Sequence, residues 1–264
     1  ATGAPELLLF LTRRHKMLSL LPLLLLSLDF GTPVLSAGAL PNGWKTCKRS
    51  DPKQDQCFTE AAQLAISSIV KSGVKKYGVF PAEPLRFDQL LVEQSNGPVN
   101  IKLQLSDLDV FGLKDMKVNK ASMNKGNIDL DVSIPKLVVV GKYDINGKVL
   151  ILPIVGTGKT NITIDKAHLA AQLQLSENTK GKSKYFNCDK MALTITGKKV
   201  YFNFENLFNG DKRLGDNMNV FLNENWALIW EEVQPAISRS FGQAIKEIAN
   251  RIFSKVPSTE ISPP

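Results

Sequence analysis

The chain has 264 residues, a net charge of +8, and 43% hydrophobic and 8% aromatic residues. That hydrophobic share is enough to bury a sizeable core and too high for a disordered chain. The lysines are spread along the sequence among Asp and Glu, with no basic cluster and no aromatic RNA-reading motif, which excludes a nucleic-acid reader and leaves a solvated basic surface with weak attraction to acidic membranes.

Met17 follows Arg13, Arg14 and Lys16 and precedes the apolar run Leu18–Leu28. A basic flank, a short apolar run and the small residues Ala37-Gly38-Ala39 have the layout of a secretory signal peptide. The run is shorter than the roughly 20 residues a spanning helix needs. Residues 1–39 are therefore expected to be an upstream segment and signal peptide, starting at Met17 and cut after Ala39. Residues 40–257 are expected to form one domain and 258–264 a flexible tail, so the product is read as secreted and extracellular.

Secretion places Cys47, Cys57 and Cys188 in an oxidising compartment. Cys47 and Cys57 bracket a short loop containing Asp51-Pro52 and are expected to form a disulfide, leaving Cys188 free or buried. The spacing predicts a helix over Phe58–Lys71, with Phe58, Ala61, Ala62, Ala65, Ile66 and Ile69 on one face and Asp55 as its N-cap. Gly73 and Gly78 end it, and Phe80-Pro81-Ala82-Glu83-Pro84 forces an extended turn.

From there to about residue 205 the period is two. Val99, Ile101, Leu103 and Leu105 alternate with polar residues, and Leu108 and Val110 continue on the other parity, which predicts a β-bulge near Ser106-Asp107. Ile128–Ile134, Ile162–Ile164, Leu169–Leu175, Leu193–Ile195 and Val200–Phe204 repeat the alternation, and Asn146-Gly147 predicts a hairpin turn. After Gly210 the period returns to helical. Asp211–Trp230 is compatible with helix, and Ile237, Phe241, Ala244, Ile245, Ile248 and Ile252 form one stripe, with Pro235 expected to kink or divide the run.

The fold class is α+β: a strongly curved antiparallel sheet wrapped around a long C-terminal helix. An interior not filled by side chains leaves an elongated apolar tunnel. Parity selects Leu103, Leu105, Leu130, Val132, Leu173, Phe202 and Phe204 as its sheet side. Leu222, Trp226, Ile237, Phe241 and Ile245, with Phe58 and Ile66 of the first helix, complete the expected ligand-binding lining.

Several segments together resemble one family. Asn206-Leu207-Phe208-Asn209-Gly210-Asp211-Lys212, Leu214-Gly215, Phe221-Leu222-Asn223-Glu224-Asn225-Trp226, Pro235 and Ile252–Pro257 look like the C-terminal signature of takeout-like and juvenile-hormone-binding proteins of insects. Cys47–Pro52 with Cys57 is similar to that family's N-terminal disulfide loop, and Gly97–Asn100 and Tyr143–Lys148 to its strand and hairpin segments. The match runs from about Leu40 to Pro257. The resemblance implies the tubular lipid-binding fold and a monomeric, non-enzymatic carrier of a small hydrophobic ligand, such as juvenile hormone, another terpenoid or a fatty lipid. Cys188 has no mature-chain partner beyond the N-terminal pair, which favours the takeout branch over the dedicated hormone binders.

The remaining chemistry is sparse. His168 is the mature chain's only histidine, and no G-x-S-x-G elbow accompanies it. Gly156-Thr157-Gly158-Lys159-Thr160 resembles the end of a phosphate loop, but Pro153 stands where the motif needs glycine and a strand pattern follows. No metal site and no cofactor are expected. Asn161-Ile162-Thr163 is a glycosylation sequon on the polar face of its strand. The competing reading is an extracellular protein-interaction or membrane-surface module of the same fold with no transported ligand.

Overall fold

Two strands carry most of the architecture. In the computed structural model, which describes residues 38–264 except Asn96 and Lys125, β4 spans Asn127–Val149 and β5 spans Leu152–Lys180, 23 and 29 residues. Straight strands of that length would run roughly 75 and 95 Å at about 3.3 Å per residue. β4 pairs along its length with residues 152–174 of β5, with one interruption, and shorter strands flank the two in two groups. β3 (Lys117–Asn124) and β6 (Ser183–Thr196) lie beside one half. β2 (Val99–Phe111), with β1 (Leu85–Gln94) outside it, and β7 (Lys199–Phe204) lie beside the other.

The halves change over at Pro135 and Lys166. The β4–β5 ladder skips from Ile134–Ala167 to Lys136–Asp165, and Lys166 has a φ of 48°. Pro135 supplies no N–H and is exposed, so it is tolerated where the ladder is interrupted. Buried positions accordingly change parity, from Ile128, Val132 and Ile134 to Leu137 and Val139 on β4, and from Ile162 and Ile164 to Ala167 and Leu169 on β5. The bulge expected in β2 is present: register shifts between Ser106 and Asp109, with Asp107 at a φ of 50°.

The helices are α1 (Gln54–Ser72), α2 (Lys212–Glu224), α3 (Trp226–Phe253) and the short α4 (Ser258–Ile261). At about 1.5 Å per residue α3 is roughly 42 Å long. It packs on β6, β1 and β7, while α1 packs on β3. Phe87 of β1 and Phe241 of α3 bring their ring centroids to 4.8 Å.

Helix side chains satisfy the open edges of β3, β6 and β7. On α1, Thr59 Oγ1 accepts from Ala121 N at 2.9 Å and Gln63 Oε1 from Val118 N at 2.7 Å, along β3. On α2, Asn219 and Asn223 each accept from and donate to one residue of β7, Phe204 at 2.9 and 2.9 Å and Phe202 at 2.9 and 2.7 Å. On α3, Asn250 does the same to Cys188 of β6 at 2.7 and 3.0 Å, Lys246 donates to Asp189 O, and Trp230 Nε1 donates to Ile195 O. Residues four apart share a helix face, so one helix can engage successive groups of a strand edge.

Four local expectations are corrected. Asn146-Gly147 lies inside β4, and the hairpin turns at Leu150-Ile151, between the paired Val149 and Leu152. Gly147 is needed for another reason: a Cβ there would meet Asn100 O of β2 at 2.2 Å. The C-terminal helical run divides at Asn225 and not at Pro235, which is exposed within α3. The cap of α1 is Lys53, while Asp55 sits in the first turn. Residues 258–264 are docked: Ser258 and Ser262 are buried, and Arg49 N donates to Pro263 O at 2.9 Å. The proposed signal peptide lies outside the described residues except for Gly38 and Ala39, whose backbone bonds to Lys255, Lys76 and Tyr77.

The phosphate-loop-like segment is strand β5. Its glycines admit residues 205–207 across the sheet: a Cβ on Gly158 would meet Glu205 O at 2.3 Å, and one on Gly156 would meet Leu207 Cα at 2.9 Å. Tyr143 Oη donates to Glu205 O at 2.6 Å. Burial, aided by Asp144 and Glu205, pushes the Tyr143 phenol up to about 12.

Replacing both Asn219 and Asn223 with Ala strips the outer edge of β7. An unmade buried hydrogen bond costs about 1–3 kcal/mol, so the double variant is expected to lose at least about 2 kcal/mol in urea unfolding. It should also self-associate on size exclusion, because a bare edge templates strand addition. The raised Tyr143 pKa stabilises the fold fully below its ordinary value of about 10 and is lost as pH rises to about 12. Tyr143→Phe should therefore lower the urea midpoint at neutral pH yet flatten its decline between about pH 10 and 12.

Candidate functional site

The inner faces of the sheet, α1 and α3 do not fill the space they enclose. A cavity of about 160 Å³ remains, lined solely by apolar side chains. Helix α1 contributes Ile66, Ile69 and Val70, and α3 contributes Phe241, Ile245 and Ile248. Leu130, Val132 and Leu137 come from β4, Leu169 and Ala171 from β5, and Met191, Leu193 and Ile195 from β6. Ala82 and Leu85, with Leu113 and Met116 near the start of β3, close the remaining side.

Five residues expected to line a tunnel meet at this cavity: Ile66, Leu130, Val132, Phe241 and Ile245. Phe58, Leu103, Leu105, Leu173, Phe202, Phe204 and Leu222 are buried in the surrounding core and do not line it. Trp226 and Ile237 are partly buried against that core. In the other half of the molecule, Phe204 sits between Tyr143, at 4.8 Å, and Phe202, at 6.4 Å.

Parity contained part of what the expectation missed. Leu169 and Ala171 share the period of Leu173, Leu193 and Ile195 alternate together, and Ile248 lies on the stripe of Phe241 and Ile245. Ala82, Leu85, Leu113 and Met116 flank turns and carry no period. Small residues at Ala82 and Ala171 help leave the space unfilled, and Met116 and Met191 give part of the wall three-torsion, adaptable side chains.

The polar groups lie elsewhere. His168 is half-exposed, with Nε2 2.9 Å from Asp131 Oδ2 on the paired strand. The Asn119 amide, then His168, holds the Asp131 carboxyl below the usual carboxylate range. Ser133 pairs opposite His168, but its Oγ takes a hydrogen bond from Asn119 at 2.6 Å. Among the described residues this cluster brings no nucleophile into a hydrogen bond with the imidazole. No group of three His, Cys, Asp or Glu side chains suited to a metal is found among the described residues.

Cys47 and Cys57 form a disulfide. Cys188 is free and fully buried, and burial pushes its thiol up. Asn161 is exposed on β5, and its Oδ1 accepts from Thr163 Oγ1 at 3.2 Å.

The sequence profile of the family described as haemolymph juvenile hormone binding protein (JHBP) matches residues 23–263. The circadian clock-controlled protein daywake of Drosophila melanogaster is 27% identical over 232 residues, covering 83% of this chain and 87% of its own. The daywake protein of Drosophila yakuba is 26% identical over 231 residues, covering 83% and 87%. The crystal structure of Epiphyas postvittana Takeout 1 superposes with a TM-score of 0.74 at 26% identity, covering 83% of this chain and 99% of that one.

A filled core and a cavity respond differently to added bulk. Val132→Trp projects into the cavity and should leave the melting temperature close to wild type. Leu103→Trp, at a buried position outside this cavity's lining, should overpack and cost about 1–3 kcal/mol. Thermal unfolding of the two variants side by side makes the comparison.

Proposed function

The chain belongs to the haemolymph juvenile hormone binding protein family, and from that premise we propose that it is a secreted, non-enzymatic carrier of one small hydrophobic molecule. The observation that carries the reading is the cavity walled by Ile66, Val132, Phe241 and their apolar neighbours, inside a sheet that a water-soluble protein would otherwise pack solid. Members of this family generally bind hydrophobic ligands. Juvenile hormone, another terpenoid or a fatty lipid fits a wall with no polar group.

The volume sets a condition. About 160 Å³ matches the engineered apolar cavity of about 150 Å³ that admits benzene, whereas drug-sized ligand sites span about 300–1,000 Å³. A full-length terpenoid or acyl chain therefore requires the walls to move apart, and Met116 and Met191 are the side chains best able to do so. Burying about ten methylenes at about 0.8 kcal/mol each would supply about 8 kcal/mol before entropic costs, which corresponds to micromolar binding.

Secretion is supported by the apolar run after Met17 and by the Cys47–Cys57 disulfide, a bond that persists in oxidising compartments. No helix among the described residues is long and apolar enough to cross a membrane. We read Asn161 as a glycan acceptor on the outer face and the carrier as a monomer without cofactor.

Native mass spectrometry of the purified protein should show a co-purifying lipid, and a fluorescent fatty probe should bind with micromolar affinity or better. Val132→Trp should lose the probe by at least about tenfold while keeping its melt. A wild type that binds neither lipid nor probe would sink the carrier reading and favour the module without a transported ligand.

A further inference from the structure

The cavity approaches the surface beside the last turns of α3. A shallow groove between Val79–Arg86 and the last turns of α3 has Ala82, Leu85 and Ile248 in its wall, and the same three side chains line the cavity from inside. This shared wall is a single layer of side chains. Phe80 stands on its outer lip, 75% exposed. A large apolar ring held that far out of a soluble fold has no packing role.

Cations lie on the segments that neighbour Phe80 in the chain and across the groove. The bridge between Val74 and Val79 folds the short 3₁₀ turn Lys75–Tyr77 back beside Phe80, and Gly73 approaches the Val79 carbonyl and Phe80 so closely that a Cβ would collide. Lys71, one residue from the end of α1, lies at the base of the same turn. Arg251 of α3 donates to Gly78 O at 2.5 Å. Val256, next to Lys255, packs with Val74, Val79 and Tyr77, which brings Lys255 to the same corner. Lys71, Lys75, Lys76, Arg251 and Lys255 are all exposed, and none is ion-paired with a described carboxylate. The groove's own acids are engaged: Glu83 accepts from the backbone N–H groups of Gly112 and Lys114 at 2.8 and 3.0 Å, and Glu247 from Gln243 at 2.9 Å.

We infer that this corner is a docking site for a bilayer bearing anionic lipid, with Phe80 entering the headgroup boundary and the five cations facing acidic headgroups. An exposed aromatic residue ringed by Lys and Arg combines apolar burial with attraction to a negative surface. Acidic protein surfaces would satisfy the cations but leave Phe80 without an apolar partner, and a bilayer supplies both. Docked this way, the thin wall of Ala82, Leu85 and Ile248 faces the membrane. A hydrophobic molecule can then pass between bilayer and cavity without crossing water. The docking site stands on its own, and only this delivery step rests on the carrier reading.

The test is co-sedimentation with phosphatidylcholine vesicles with and without phosphatidylserine, using the full chain. Wild type should pellet with the phosphatidylserine vesicles and be released by salt. Lys75→Glu/Lys76→Glu should lower the partition coefficient by roughly tenfold or more, and Phe80→Ser should lower it with an unchanged melt. Lys148→Glu/Lys182→Glu, an equal charge change at exposed sites elsewhere, should retain binding. Equal loss in that control, or no pelleting by wild type, overturns the site. A fluorescent fatty probe added from solution separates the two readings. Protein that takes up probe but does not pellet disproves docking and leaves the carrier intact. Protein that pellets but takes up no probe keeps docking and removes the delivery step.

Discussion

A sheet that curls without closing leaves rows of N–H and C=O groups at its edges, and those groups must be satisfied. This protein meets the constraint at β3, β6 and β7 with helix side chains. Thr59 and Gln63 serve β3, Asn219 and Asn223 serve β7, and Lys246 and Asn250 serve β6. Each pair sits four residues apart on its helix. The same contacts that finish the sheet fix the height of the helices above it, and so set how much space is enclosed. The cavity is therefore a result of edge chemistry as much as of apolar content.

Much of this was legible. Alternation fixes the faces of β2, β4 and β5, and the parity slip at Ser106-Asp107 marks a real bulge because an extra residue must move the apolar set to the other phase. The stripe through Phe241, Ile245 and Ile248 does face the interior. The failures have specific causes. Asn-Gly signals a turn only when glycine's freedom is spent on chain reversal, and at Gly147 it is spent on the approach of β2. Pro235 lies at an exposed position where the lost bond costs little, so the helix passes through it. Lys166 adopts its left-handed conformation without any local signal, because the bend belongs to the β4–β5 ladder and not to the residue.

The site was less legible than the fold. Filled and hollow interiors demand the same apolar residues, so parity could nominate Leu103 and Val132 alike, although of the two Val132 lines the cavity. What separates them is the mutual height of α1, α3 and the sheet, which depends on Thr59, Gln63 and Asn250. Those residues read as ordinary polar positions on amphipathic helices. The cavity's outer wall comes from the turn at Ala82–Leu85, where periodicity gives no information at all.

The two ends of the described chain meet. Arg49, inside the Cys47–Cys57 loop, binds Pro263 through its backbone and Ser262 through its guanidinium, and Gly38 reaches Lys255. Start and finish are thus neighbours, as they are in many domains that tolerate circular permutation. The described residues 49–263 come close to a ring, joined by the Arg49 clasp. New ends opened elsewhere, at the exposed Leu150-Ile151 hairpin for instance, would leave every ladder and clasp intact. A domain fused after Pro264 would be carried beside the Cys47–Cys57 loop, so its linker has to leave the clasp between Arg49 and the last residues undisturbed.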